Sequence, residues 1–140
     1  MAADEDSLDE PVAAVRRYVE AFNRGDVEAM AACFAPRGSI LGGMAPHIWQ
    51  GETAPRDWYG DLLALGDDAG ASDYRVMLGG PLHVQVSDDA AYVVAPASLT
   101  CRLDGEPITQ AGATFTAALR RLDDGWRIAS WAWARGRWIR

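Results

Sequence analysis

The sequence predicts an α+β fold in which helices come first and a long, mostly antiparallel meander follows. Apolar residues recur at helical spacing in the first half of the chain, and from Tyr74 onward the apolar period changes to two. The alternation of strands and helices that builds parallel βαβ units is missing. This pattern gives the order of the elements. A strongly curved sheet wrapped over the helices would leave a cone with a cavity at its open end.

Two short helices folded about one glycine open the chain. Ser7 is the predicted cap of the first helix, and Glu10 completes a capping box. Gly25 is expected to end that helix, because a helix C-terminus favours a residue that tolerates a left-handed backbone. Asp26 then caps a second helix, and Pro36 stops it. The hairpin is too short to bury its own apolar side, so we expect the rest of the chain to cover it.

A strand, a loop and a third helix are predicted next. Residues 39–41 indicate a short strand, and the loop that follows is expected to bring His47 and Trp49 close together. Thr53 is the predicted cap of the third helix, and Gly66 is expected to end it.

The second half of the chain indicates strands joined by tight turns. Residues 90–103 form a long predicted strand with Pro96 in it, where we expect a bulge or an edge because proline cannot donate to a central ladder. The Asp-Gly pair at 104–105 is a strong hairpin signal. Residues 108–122 are the predicted return strand, and residues 126–138 the last strand.

The composition indicates one globular domain. At 140 residues, 49% of them hydrophobic, the chain is long enough for one core and too short for two, so we expect a single domain over 1–140 with 1–7 as an acidic leader. The formal net charge of -7 argues against nucleic acid and against an anionic membrane surface as partners. No apolar run approaches the length of a membrane span, and the N-terminus is acidic where a signal peptide is basic, which predicts a cytoplasmic protein.

Motifs for cofactor chemistry are missing from the sequence. There is no P-loop, no dinucleotide fingerprint, no GxSxG elbow and no histidine pair at zinc spacing. Cys33 and Cys101 lie in apolar segments without metal-like spacing, so we expect two buried free thiols. We therefore expect no cofactor and no metal, and any catalysis would be acid–base work by phenols, histidines or carboxylates.

Three stretches together resemble the nuclear transport factor 2-like superfamily, which includes ketosteroid isomerases, SnoaL-like polyketide cyclases and scytalone dehydratase. They are the run V-x-x-Y-V-x-A-x-N-x-G-D from Val15, the segment GETAPRDWY at 51–59 and the segment LRRLDDGWRI at 119–128. The resemblance covers nearly the whole chain. It implies three N-terminal helices packed in a curved, mostly antiparallel sheet forming a cone with a central cavity.

The resemblance to ketosteroid isomerases also implies site residues. The hydrogen-bonding tyrosine of those enzymes falls on Tyr18, and their supporting tyrosine falls on Tyr59. The aspartate that shuttles the proton falls on Gly42, and the second, neutral aspartate falls near Thr116 or Ala117. Neither position carries a carboxyl group, so the resemblance predicts an oxyanion donor without its base, and negligible steroid isomerisation.

Each candidate side chain has a structural alternative. Tyr18 lies on the apolar stripe of the first helix and is either a core tyrosine bonded to a carbonyl or a donor to a ligand oxygen. His47 and His83 have the intrinsic pKa of a general base, but His47 is equally a wet loop residue and His83 lies on the solvent face of a strand. We take His47 as the better replacement base, and Trp49 and Trp58 as aromatic contacts for a ligand.

Trp131 and Trp133 share one face of the last predicted strand, opposite Ile128. They form either an aromatic wall for a flat apolar ligand or a packed face in the core or at a dimer interface. We expect a homodimer formed through this face of the sheet, because such an apolar patch is too large to leave wet on a monomer.

Two functions remain open at this stage. The first is binding of a small apolar organic ligand through Tyr18, Tyr59, Trp49, Trp58 and Thr116, with catalysis by a cofactor-free isomerase, cyclase or dehydratase that uses Tyr18 and His47. The alternative is a non-catalytic ligand-binding or dimeric assembly module of the same fold. The retained tyrosines favour the first and the missing carboxylate favours the second.

Overall fold

A computed structural model describes residues 2–139, with side chains from Glu10 to Ile139. Three helices, α1 (Ala2–Arg24), α2 (Val27–Ala32) and α3 (Ala54–Ala69), precede most of the sheet. The eight strands are β1 (Phe34–Leu41), β2 (Ile48–Gln50), β3 (Ala71–Leu78), β4 (His83–Ser87), β5 (Ala90–Leu103), β6 (Glu106–Leu122), β7 (Gly125–Ala134) and β8 (Arg137–Ile139). The predicted α+β class is confirmed.

The junction of α1 and α2 follows the local signals in the sequence. Gly25 adopts a left-handed backbone with φ of 70° directly after α1, and the Asp26 carboxylate accepts the Ala29 backbone N–H at 3.1 Å. The predicted capping box is wrong, because α1 begins at Ala2 and Ser7 lies within it.

The stop predicted at Pro36 is also wrong. α2 ends at Ala32, and Pro36 lies inside β1. The reason is tertiary: the Cys33 carbonyl already accepts the backbone N–H of Ile128 at 2.8 Å, so the chain leaves the helix to pair with β7. A second difference lies in the segment before the third helix, which was predicted to be a loop: its residues Ile48–Gln50 form strand β2.

Helix α3 runs further than predicted. Thr53 precedes it as expected, although its hydroxyl donates to the Asp57 carboxylate at 2.7 Å instead of accepting a backbone N–H. The helix ends at Ala69 and is closed by Gly70, which has φ of 76°, so the end predicted at Gly66 is wrong. Gly66 serves the packing of α3 on β3 instead, because a Cβ there would lie 2.8 Å from the Ala71 carbonyl oxygen.

The sheet is ordered β2-β1-β7-β6-β5-β3, with β4 paired to β5 and β8 paired to β6. The described pairs are antiparallel apart from β1 and β7, which are parallel. The bulge expected at Pro96 falls just after it, where the register with β6 shifts between Ala97 and Leu99. The last predicted strand is divided into β7 and β8 by Arg135 and Gly136, and Gly136 lies so close to β6 that a Cβ there would overlap the Ala111 carbonyl oxygen.

The core lies between the helices and the sheet that wraps around them. Helix α1 contacts β3, β4, β5 and β7, so it packs against strands from both halves of the sheet. The fully buried side chains at the centre include Val15, Met30, Ile40, Leu119 and Ile128. None of the helices in the described part of the chain is long and apolar enough to cross a membrane.

Candidate functional site

A cavity of about 280 Å³ opens between α1, α3 and the inner face of the sheet. We call it the main cavity. Aromatic side chains form much of its wall: Tyr18, Phe22, Trp58, Tyr74, Phe115, Trp131, Trp133 and Trp138. Such a wall suits a largely apolar ligand, and the few polar atoms in it decide what else the ligand must carry.

Tyr18 brings the first of these polar atoms into the wall. Its side chain is 2% exposed and packs between Phe34 and Trp131, at ring-centroid distances of 5.5 and 6.0 Å. The hydroxyl has no hydrogen-bond partner among the described residues. Burial raises the pKa of Tyr18 far above its usual value; the Trp131 indole N–H is close enough to stabilise the phenolate and partly offsets this rise, although the two groups do not meet the geometry of a hydrogen bond. The phenol is therefore a neutral O–H donor.

Trp131 supplies a second unpartnered donor. It is 4% exposed, meets Trp58 edge-on with ring centroids 4.9 Å apart, and stacks at 5.3 Å on Phe115. Its Nε1–H is buried and finds no acceptor among the described residues. Tyr18 and Trp131 thus both line the main cavity, and each carries a buried polar group that makes no hydrogen bond within the described part of the chain.

The position of Trp131 corrects the prediction that it and Trp133 form an outer face of the sheet. The register between β6 and β7 shifts, with Ala118 opposite Ser130 and Leu119 opposite Ile128, which leaves an extra residue on β7. This bulge reverses the alternation, so Ile128 and Trp131 are both buried on the helix side. The homodimer remains a prediction, but it loses the aromatic face on which it was based.

Gln110 is a site residue that the sequence analysis missed. It is 4% exposed, and its Oε1 accepts hydrogen bonds from Trp133 Nε1 at 2.8 Å and from the Gly136 backbone N–H at 3.0 Å. Because the oxygen takes both bonds, the amide nitrogen is the group left to donate toward the cavity that Gln110 lines. Gln110 lies two residues after the buried Ile108 and therefore on the same face of β6, and this spacing could have predicted that Gln110 points inward.

Arg135 adds a positive charge at the rim of the main cavity. It is exposed, lines the cavity, and takes part in none of the ion pairs formed within the described part of the chain. No Asp, Glu or His is among the described residues that line the cavity. The site therefore offers donors and a cation, and it lacks a side chain with the usual chemistry of a general base.

Two of the residues predicted for the site line the main cavity, namely Tyr18 and Trp58. Gly42, at the position matched to a catalytic aspartate, also lines it. Tyr59 packs edge-on against Phe22 at 6.0 Å beside the cavity, and it is not among the described lining residues.

The other predicted site residues lie away from the cavity wall. Trp49 is buried and donates from Nε1 to the Asp61 carboxylate at 2.8 Å. Thr116 follows Phe115 on β6 and therefore points to the opposite face of the sheet. His47 is exposed, with its Nδ1 3.0 Å from the carbonyl oxygen of Gly42. The expected proximity of His47 and Trp49 thus does not bring an imidazole into the cavity.

Metal ligation has no candidate in the part of the chain that the structure describes. No group of three or more His, Cys, Asp and Glu side chains is placed there to hold an ion. Cys33 and Cys101 are both free thiols, half-buried and buried respectively.

Comparisons with known proteins bear on the same fold. The family model described as "SnoaL-like domain" matches residues 12–133. A search of curated proteins found no significant match. Among solved structures, a ketosteroid isomerase-like protein from Erwinia carotovora atroseptica SCRI1043 superimposes with a TM-score of 0.70 and 22% identity, over 91% of this chain and 95% of that one.

Two further structures extend the comparison. A nuclear transport factor 2-like family protein from Streptomyces avermitilis gives a TM-score of 0.78 and 20% identity, over 96% of this chain and 99% of that one. The hexachlorocyclohexane dehydrochlorinase LinA-type3 from Novosphingobium barchaimii LL02 gives a TM-score of 0.77 and 12% identity, over 99% of this chain and 90% of that one. At these identities the likeness shows the fold alone.

Proposed function

The chain belongs to the SnoaL-like domain family, and from that premise we propose that its main cavity binds a small, largely apolar organic molecule that carries a hydrogen-bond acceptor. The observation that carries the proposal is the pair of buried donors without partners, Tyr18 Oη and Trp131 Nε1. Leaving a buried donor unsatisfied costs about 1–3 kcal/mol. A ligand oxygen that accepts from both would remove that cost.

The walls of the cavity define the rest of the ligand. Trp58 and Phe115 contact Trp131 from two sides, at 4.9 and 5.3 Å between ring centroids. Rings arranged in this way favour an apolar, planar group close to the acceptor atom. The Gln110 amide and the Arg135 guanidinium add donors further along the wall.

Catalysis by a cofactor-free isomerase, cyclase or dehydratase is the second candidate. The donor pair supports it, because an O–H and an N–H aimed at one oxygen would also stabilise an oxyanion. Against it stands the missing base: Gly42 has no side chain, and His47 is exposed and faces the Gly42 carbonyl. Binding without chemistry is the function that the geometry supports better.

A matched pair of probes tests the proposal. 2-Acetylnaphthalene and 2-ethylnaphthalene have nearly the same shape and differ in the carbonyl oxygen. Titration calorimetry on the wild type and on Trp131→Phe should show that the variant weakens binding of the ketone about 2- to 13-fold relative to the hydrocarbon, as expected for one hydrogen bond.

Trp126 provides the control variant. It is also a buried tryptophan whose Nε1 has no partner, but it lines a different groove, beside Cys33 and Arg127. Trp126→Phe should leave the preference for the ketone unchanged. The proposal fails if neither probe binds, or if the Trp131 and Trp126 variants change the preference equally.

A further inference from the structure

A second cavity, of about 460 Å³, adjoins the main cavity. It lies between the C-terminal half of α3 and strands β3, β5 and β6, and its far end is at Cys101, Leu103 and Ile108. Five side chains line both cavities: Leu62, Leu65, Tyr74, Leu99 and Trp138. The two spaces therefore lie side by side along these five side chains, and we call the pair the channel.

The two parts differ in chemistry. The main cavity holds the unpartnered donors of Tyr18 and Trp131. The second cavity is lined by aliphatic and aromatic side chains, apart from the Tyr74 hydroxyl and the Cys101 thiol. The Tyr74 hydroxyl lies close to α3, since a Cβ on Gly66 would come within 2.5 Å of it. Both parts of the channel are thus largely apolar, and Tyr18 and Trp131 line only the main cavity.

Apolar surface is left uncovered where the two parts meet. Leu65 is 49% exposed and Trp138 is 43% exposed, although both line the channel. The main cavity alone, at about 280 Å³, also falls just below the roughly 300–1,000 Å³ usual for small-molecule sites. A ligand confined to the main cavity would leave both side chains partly wet, whereas one that continues past them would cover them.

We propose that the ligand is an elongated acyl compound, whose carbonyl head accepts from Tyr18 and Trp131 and whose hydrocarbon tail passes Tyr74 into the second cavity as far as Cys101. This inference rests on the proposed function, because it takes the same donors as the site of the head. It adds the length and the apolar character of the remainder of the molecule.

Methyl ketones of two lengths test the inference. 2-Hexanone fills only the head region, whereas 2-undecanone carries the same head and a tail long enough to enter the second cavity. Calorimetry on the wild type should show at least tenfold tighter binding of 2-undecanone. Ala69 is exposed at the end of α3 and lines the second cavity, so Ala69→Phe should remove most of this gain and leave 2-hexanone unchanged. Ala64→Phe, at an exposed position of α3 that lines neither cavity, is the control variant and should retain the gain.

The two cysteines supply an independent readout. Cys101 lines the second cavity and Cys33 lines a separate groove, so the rate of alkylation by iodoacetamide can be followed at each by peptide mass spectrometry. Saturating 2-undecanone should slow alkylation of Cys101 at least fivefold and leave the rate at Cys33 unchanged. Saturating 2-hexanone should slow neither.

The outcomes separate this inference from the proposed function. If short ketones bind through Trp131 but lengthening the tail brings no gain, or Ala69→Phe leaves that gain intact, the elongated ligand is refuted and the proposed function stands. An unchanged alkylation rate at Cys101 under saturating 2-undecanone refutes it as well. If no ketone of either length binds, both proposals fail.

Discussion

Replacing Tyr18 by phenylalanine should stabilise the ligand-free protein. The hydroxyl is buried without a partner, and removing such a group recovers a penalty of about 1–3 kcal/mol. The cavity left by one oxygen atom, on the order of 10 Å³, reduces this gain by only about 0.2 kcal/mol, at about 24 cal/mol per Å³. We therefore expect the free energy of unfolding to rise by about 1–3 kcal/mol. For a chain of this size that corresponds to a melting temperature higher by roughly 3–15 °C.

The same change should weaken the ligand complex. A bound acceptor loses one of its two donors, which corresponds to roughly 2- to 13-fold in Kd for a neutral hydrogen bond. Stability and affinity thus move in opposite directions, as expected of a residue whose polar group serves a ligand and not the fold. Urea unfolding followed by circular dichroism gives the first quantity, and titration with 2-acetylnaphthalene gives the second.

Tyr92 offers a matched control for this prediction. Its hydroxyl is exposed and donates to Gln85 Oε1 at 3.0 Å, so Tyr92→Phe should change the free energy of unfolding by less than about 0.5 kcal/mol. If Tyr18→Phe instead destabilises the ligand-free protein by 1 kcal/mol or more, the hydroxyl has a partner such as a bound water. The proposal that it awaits a ligand acceptor would then lose its basis.

Three further predictions concern stability. Gln110→Leu leaves one indole and one backbone N–H without their acceptor and should lower the free energy of unfolding in urea by about 2–4 kcal/mol; an unchanged midpoint would contradict the hydrogen bonds assigned here. Gly66→Ala should destabilise the protein, because its Cβ would lie 2.5 Å from the Tyr74 hydroxyl. Gly60→Ala in the same helix has open space around it and should stabilise the protein by up to about 1 kcal/mol. Equal effects of the two variants on thermal unfolding would refute the close packing at Gly66. Because burial raises the pKa of Tyr18, the free energy of unfolding should fall as the pH rises above about 10, where the unfolded chain releases a proton that the folded chain retains. Urea titrations at a series of pH values should show that this fall is less steep in Tyr18→Phe, by up to about 1.4 kcal/mol per pH unit.

Local signals predicted those parts of the fold that depend on local conformation. Gly25 and Asp26 close and open helices as predicted, because the left-handed backbone and the side-chain cap are properties of a few neighbouring residues. The Asp-Gly turn at 104–105 has φ of 52° and 84°, the conformation for which that pair is favoured. Gly66 and Gly70 show the limit of prediction from local signals. Either could end α3 by local rules, and only the packing of α3 on β3 shows that Gly66 is needed inside the helix.

The candidate site was predicted in part for the same reason. Tyr18 and Trp58 lie on the apolar faces of helices, and helical periodicity is enough to direct them inward. Trp131 was assigned to the wrong face because period-two alternation holds only while the strand is regular. One extra residue on β7 reverses it, and the sequence around Ala129 and Ser130 carries no signal for that bulge.

The polar groups in the described wall of the main cavity are consistent with the proposed binding of a hydrogen-bond acceptor. Acid–base catalysis requires a group within hydrogen-bond reach of the proton that it takes, with a pKa suited to neutral pH. The described wall of the main cavity carries the phenols of Tyr18 and Tyr74, four indoles and the Gln110 amide, with the Arg135 guanidinium at the rim. Gly42 leaves the base position empty of side-chain chemistry, and the nearby His47 faces the Gly42 carbonyl on the exposed side. Such a wall suits the ligand oxygen that we propose, and under the same proposal the apolar space past Tyr74 would decide which molecules carrying that oxygen are retained.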